Sequence, residues 1–84
     1  MKITVKLFAQ LGDYLPVQER QGNEVKLEVA NGALVHSVIN SFGLPEKWVH
    51  LVLVNGVYIA PEHRLAHVLA EGDALAIWPP IAGG

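Results

Sequence analysis

The last six residues of this sequence, Pro79-Pro80-Ile81-Ala82-Gly83-Gly84, combine a change of backbone rules with a loss of side chains. Chemistry on such a segment would be chemistry of the backbone itself. A carboxylate on a terminal glycine would ride on a chain thin enough to enter a channel that excludes a Cβ. The two prolines lack the donor needed to continue a sheet ladder, so they close the apolar run Ala74-Leu75-Ala76-Ile77-Trp78 and start an extended exit. At about 3.3 Å per residue such a tail reaches about 20 Å, enough to carry the carboxylate into a partner's buried site. We read Gly84 as the native carboxyl terminus and the reacting residue, with Pro79, Pro80, Ile81, Ala82 and Gly83 as the inserted tail. A frayed end of small residues is the alternative.

The other chemistry-bearing residues point to less. His63 and His67 are spaced as neighbours on one helical face, the spacing of some zinc sites, but no carboxylate stands in register as a third ligand. They are read as exposed polar residues, and no metal is expected. His36 and His50 stand alone, one on a helix surface and one at a strand end. Glu71 and Asp73 flank Gly72 as a catalytic pair could, yet no nucleophile lies near them in sequence, and a solvated turn is the better reading. With no Gly-rich phosphate loop and no supported Ser/His/Asp set, no catalytic residue is assigned and the chain is not expected to be an enzyme. Trp78 either plugs an edge of the core or stands at the mouth of the tail as an anchor for a partner. Phe8, out of phase with Leu7, should share an exposed patch with Ala76, so Phe8, Ala76 and Trp78 form the candidate partner interface.

Bulk properties narrow the classes. At 84 residues the chain is one small domain, expected to bury about 60% of its unfolded surface. It is 51% hydrophobic and 17% charged, so some apolar surface must stay outside, where it marks an interaction site. A net charge of −2 without a Lys/Arg cluster argues against nucleic acid and against anionic membranes. The absence of cysteine removes disulfides, thiolate nucleophiles and Cys-based metal sites. No signal peptide or membrane span is legible, and a cytoplasmic location is the expectation.

The elements that must position the tail follow from periodicity. Lys2 to Phe8 alternates with Ile3, Val5 and Leu7 on one face, and Glu24 to Val29 repeats the pattern with Val25, Leu27 and Val29. Their connection holds Gly12, Pro16 and Gly22 and has room for one helical turn. From Ala33 the period changes: Leu34, Val38 and Phe42, flanked by Val35 and Ile39, predict a helix with Asn31 as N-cap and Gly43 as its stop. Residues His50 to Val54 and Val57 to Ile59 flank Asn55-Gly56, a strong hairpin signal. Leu65 to Leu69 reads as a short helical turn, and Glu71-Gly72-Asp73 turns the chain into the last strand. The order is α+β: a mixed sheet of four to five strands with one main helix packed across it. Placing the first and last strands side by side in parallel, with a right-handed crossover, gives a β-grasp. Residues 1–78 form the domain and 79–84 an extended, flexible tail.

A β-grasp order ending in Gly-Gly resembles the ubiquitin-like proteins, and the details resemble the MoaD/ThiS family of sulfur carriers. The resemblance spans essentially the whole chain through Val5-Lys6-Leu7-Phe8-Ala9, Leu44-Pro45, Val54-Asn55-Gly56, Glu71-Gly72-Asp73 and the terminal hexapeptide. Pro-Pro-X-Ala-Gly-Gly is more similar to the molybdopterin synthase small subunit than to the thiamine-pathway carrier. The first connection departs from the family pattern at Gly12, Pro16 and the polar run from Gln18 to Asn23. The resemblance implies that an ATP-dependent activating enzyme of the MoeB/ThiF type adenylates Gly84, that sulfur displaces AMP to leave a thiocarboxylate, and that a MoaE-like large subunit receives the tail. ATP would be used by the activating enzyme, with no cofactor held by this chain. Sulfur supply to thiamine, tungsten-cofactor or tRNA-thiolation pathways, or attachment to lysines as a protein modifier, are the alternatives.

Overall fold

The computed structural model describes residues 1–80. Strands β1 (Lys2–Leu7), β2 (Glu24–Glu28), β3 (Leu51–Val54), β4 (Val57–Tyr58) and β5 (Ala74–Trp78) form one sheet in the order β2-β1-β5-β3-β4, and helix α1 (Val35–Ser41) is the main helix. This is the expected β-grasp: β1 and β5 run parallel in the centre, and the remaining pairs are antiparallel. The alternation in the sequence decides which face is covered. Ile3, Val5 and Leu7 meet Leu75, Ile77, Val52 and Val54 in a core closed by Val35, Val38 and Ile39 of α1 and by Leu11 and Leu15 of the first connection. That connection contains a 3₁₀ segment, Ala9–Tyr14, whose Leu11 is fully buried.

The hairpin forms as Asn-Gly dictates. Val54 pairs with Val57, leaving Asn55 (φ 51°) and Gly56 (φ 81°) as a two-residue loop with both residues left-handed, the turn whose twist matches the flanking strands.

Two local expectations are corrected. Asn31 is not the N-cap: the helix begins at Val35, with Leu34 in the capping position, its N–H donating to Ser37 Oγ at 3.0 Å. The delay has a backbone cause. Leu34 bridges Val68, the Leu69 amide donates to the Ala33 carbonyl at 2.8 Å and the Val35 amide to the His67 carbonyl at 3.0 Å. Residues 33 and 34 are thereby held extended. The same pairing overturns the helical turn expected over Leu65 to Leu69. The 3₁₀ turn lies earlier, at Pro61–His63, with proline at its start, and His67 to Leu69 runs extended against residues 33–35.

Candidate functional site

Strand β5 is central, so whatever follows it leaves from the middle of the sheet. Its inward residues Leu75 and Ile77 are fully buried, while Ala74, Ala76 and Trp78 lie half-buried on the face opposite α1. Register places Lys6, Ala76, Leu53 and Tyr58 in one row across β1, β5, β3 and β4. The adjacent row holds Trp78 opposite Leu51, with Phe8 completing it. The Phe8 and Trp78 rings stack with centroids 4.0 Å apart and planes 6° from parallel. Geometry explains the stack: the Phe8 amide donates to the Ile77 carbonyl at 3.0 Å, extending the parallel ladder by one residue and setting Phe8 beside Trp78. The open face is therefore apolar around Ala76, Leu53 and the Phe8–Trp78 stack, bordered by Lys6 on β1 and by Tyr58, 53% exposed, on β4.

Phe8, Ala76 and Trp78 thus sit together on one surface at the end of the last strand. Pro79 is buried and Pro80 exposed. The expectations placed on Ile81, Ala82, Gly83 and Gly84 lie outside the described residues.

The acidic pair at the last turn holds backbone. Both Glu71 oxygens accept the Lys2 amide at 3.2 Å. Asp73 accepts the Ala70 amide through Oδ2 and Asn55 Nδ2 through Oδ1, each at 2.8 Å, and Asn55 Oδ1 accepts the Ala74 amide at 2.9 Å. One carboxylate and one amide therefore clamp the β3–β4 hairpin to the start of β5. Among the histidines, His36 contacts Asn40 through Nε2 at 3.0 Å, and the His67 amide donates to the His63 carbonyl at 3.0 Å. Among the described residues no group of three His, Asp or Glu side chains is placed to hold a metal ion.

Sequence reasoning missed Arg64, which is buried at 8% exposure. The mixed segment from Pro61 to Leu69, with Glu62, His63 and His67 beside it, gave no local signal that Arg64 is the residue turned inward.

The geometry was compared with known proteins. The family model described as Mut7-C ubiquitin matches residues 1–82. Searched against the curated proteins, the sequence finds no match. Among solved structures, SAMP1 from Haloferax volcanii, small archaeal modifier protein 1, is 26% identical with all of both chains covered and a TM-score of 0.67. Thiamine biosynthesis protein ThiS from Geobacter metallireducens is 20% identical over all of both chains, with a TM-score of 0.66. A complex of subunits 1 and 2 of molybdopterin-converting factor from Helicobacter pylori gives 22% identity, full coverage of both chains and a TM-score of 0.59. The solved structures it resembles are small ubiquitin-like carriers, modifiers or subunits of a complex. Matched by the family model from its first strand to beyond its last, the chain belongs to the Mut7-C ubiquitin family and has the ubiquitin-like fold of the MoaD/ThiS proteins.

Proposed function

We propose that this protein is a non-catalytic sulfur carrier. An ATP-dependent adenylating enzyme of the MoeB/ThiF type couples the Gly84 carboxylate to AMP with loss of pyrophosphate. A sulfide nucleophile then displaces AMP, leaving a thiocarboxylate. Sulfur passes to molybdopterin formation on a MoaE-like large subunit, which receives Pro79 to Gly84 while its surface packs against Phe8, Ala76 and Trp78. The observation that carries the reading is that central β5 ends at Trp78, stacked on Phe8, and passes directly into Pro79-Pro80. A carboxylate becomes a competent electrophile only with a leaving group, which in this reading the adenylating enzyme supplies as AMP. ATP belongs to the activating enzyme, and the work is cytoplasmic. Within the described residues no helix is long and apolar enough to cross a membrane.

A second reading, conjugation to lysines of other proteins through the same activated carboxylate, is favoured by one observation. SAMP1 is 26% identical, against 22% for the molybdopterin-converting subunit and 20% for ThiS. One experiment separates the two. Intact mass is measured after incubation with ATP, sulfide and the host's adenylating enzyme. Replacement of one oxygen by sulfur, lost when Gly84 is deleted, is the expected result. Lysine adducts that resist reductant would instead support the modifier, and no mass change with an enzyme that consumes ATP would overturn both.

A further inference from the structure

Arg64 is the only charged or polar residue buried among those described. Its Nε donates to the Ile59 carbonyl at 3.1 Å and its Nη2 to the His50 carbonyl at 3.3 Å, which fixes the plane of the guanidinium. Two carbonyl dipoles do not neutralise a permanent unit charge with five N–H donors. Among the described residues the one ion pair is between the Met1 amino group and Glu28, so no carboxylate lies within ion-pair distance of Arg64. Nη1 makes no hydrogen bond within the described residues, yet no fully buried side-chain polar atom lacks a partner. Nη1 is therefore not fully enclosed.

Arg64 lines a half-open pocket of about 210 Å³ on the helix side of the sheet, with apolar walls from Ile39, Leu44 and Leu65 and polar ones from His36, Asn40 and Glu46. An apolar cavity of about 150 Å³ holds a benzene molecule. The volume here suits an aliphatic body of about four to six carbon atoms, too small for a drug-sized ligand. A buried cation at a mostly apolar, half-open pocket favours a ligand with an anionic head and a short apolar tail. The flat, forked guanidinium matches a carboxylate.

We propose that this cavity binds an aliphatic carboxylate, its head on Arg64 Nη1 and its chain against Ile39, Leu44 and Leu65. Two sources carry that chemistry, a free short-chain acid and an acidic side chain presented by another protein. The site stands apart from the open face and does not depend on any activation of Gly84. Glu46 opposes the ligand electrostatically and limits affinity.

The test is an NMR titration of the labelled, full-length protein with sodium butyrate, against butyramide as the neutral isostere, at constant ionic strength. Butyrate is expected to shift the Arg64 Nε–H resonance and the Ile39 and Leu65 methyls saturably, with butyramide at least tenfold weaker. Arg64 also holds backbone, so variants are placed on the cavity lining instead. Glu46→Gln should tighten butyrate about two- to threefold. Leu65→Glu, at a position 62% exposed, should weaken it at least fivefold while leaving the unfolding midpoint unchanged. N-acetyl-glutamic acid amide in place of butyrate identifies the source: at least tenfold tighter binding points to an acidic side chain, and weaker or equal binding to a free acid. Equal response to butyrate and butyramide, no saturable shift with either carboxylate, or unaltered affinity in both variants would overturn the proposal.

Discussion

Asn55 carries two loads in one residue. Its backbone sits at φ 51°, and its amide joins Asp73 to the Ala74 N–H. The loads can be separated. Asn55→Gly keeps the turn geometry and loses the side-chain bonds, whereas Asn55→Ala loses the bonds and leaves a Cβ in the left-handed region, which costs about 1–2 kcal/mol more. Asp73→Ala removes an acceptor from the Ala70 amide and from Asn55, for about 1 kcal/mol because water reaches these groups. Urea unfolding should therefore rank the variants Asn55→Ala least stable, with Asn55→Gly and Asp73→Ala close together. Equal losses for the alanine and glycine variants would mean that the turn conformation carries no strain. At the other end of β5, Phe8→Ala removes a stack contributing about 0.5–1.5 kcal/mol and exposes one face of Trp78. The fold should survive with unchanged far-UV circular dichroism. Affinity for the proposed large subunit should fall at least tenfold, about 1.4 kcal/mol, by isothermal titration, as expected of an aromatic at the centre of an interface.

At the scale of the element, what could be read from sequence was what local periodicity controls. Alternation placed Ile3, Val5, Leu7 and Val25 inward, and all four are buried. Asn55-Gly56 specified its own turn, and the helix stop at Gly43 was legible because φ there is 72°, a conformation only glycine adopts freely. The helix start was not legible. Its position depends on a bridge from Leu34 to Val68, residues far apart in sequence, and no local cap signal reports such a pairing. The misplaced turn at Leu65 to Leu69 has the same cause, because the segment's apolar spacing suits a helix while its backbone is taken up by residues 33–35. Of the candidate site, Phe8, Ala76 and Trp78 were legible through strand parity, whereas the Arg64 cavity needed tertiary contacts from three separate segments. Gly43 offers a test of the local reading. A Cβ added there meets nothing within 4 Å, so the cost of Gly43→Ala is that of the backbone alone. It should be about 1–2 kcal/mol, a melting temperature lower by about 5–10 °C for a domain of this size. A change under 2 °C would show that the helix end readjusts.

At the scale of the molecule, the order β2-β1-β5-β3-β4 makes the last strand in sequence a central strand in space. The core therefore cannot close until β5 is available, and the proposed carrier role requires a cooperative body and a tail that the body does not need. Shortening the chain tests that division at two places. Ending it after Pro80 should leave the unfolding free energy in urea within about 0.5 kcal/mol of the intact protein, while abolishing adenylation. Ending it after Asp73 withdraws Leu75 and Ile77, both fully buried, each worth about 2–5 kcal/mol in the core. It also leaves β1 and β3 with unpaired inner edges. Against a total stability of about 5–15 kcal/mol, and nearer the lower figure for so small a domain, that loss should eliminate the cooperative transition. The decisive result is the first variant: a folded, inactive chain assigns the tail to chemistry alone. A chain that unfolds once residues 81–84 are gone would make them part of the domain, and the carrier reading would lose the separable arm on which it depends.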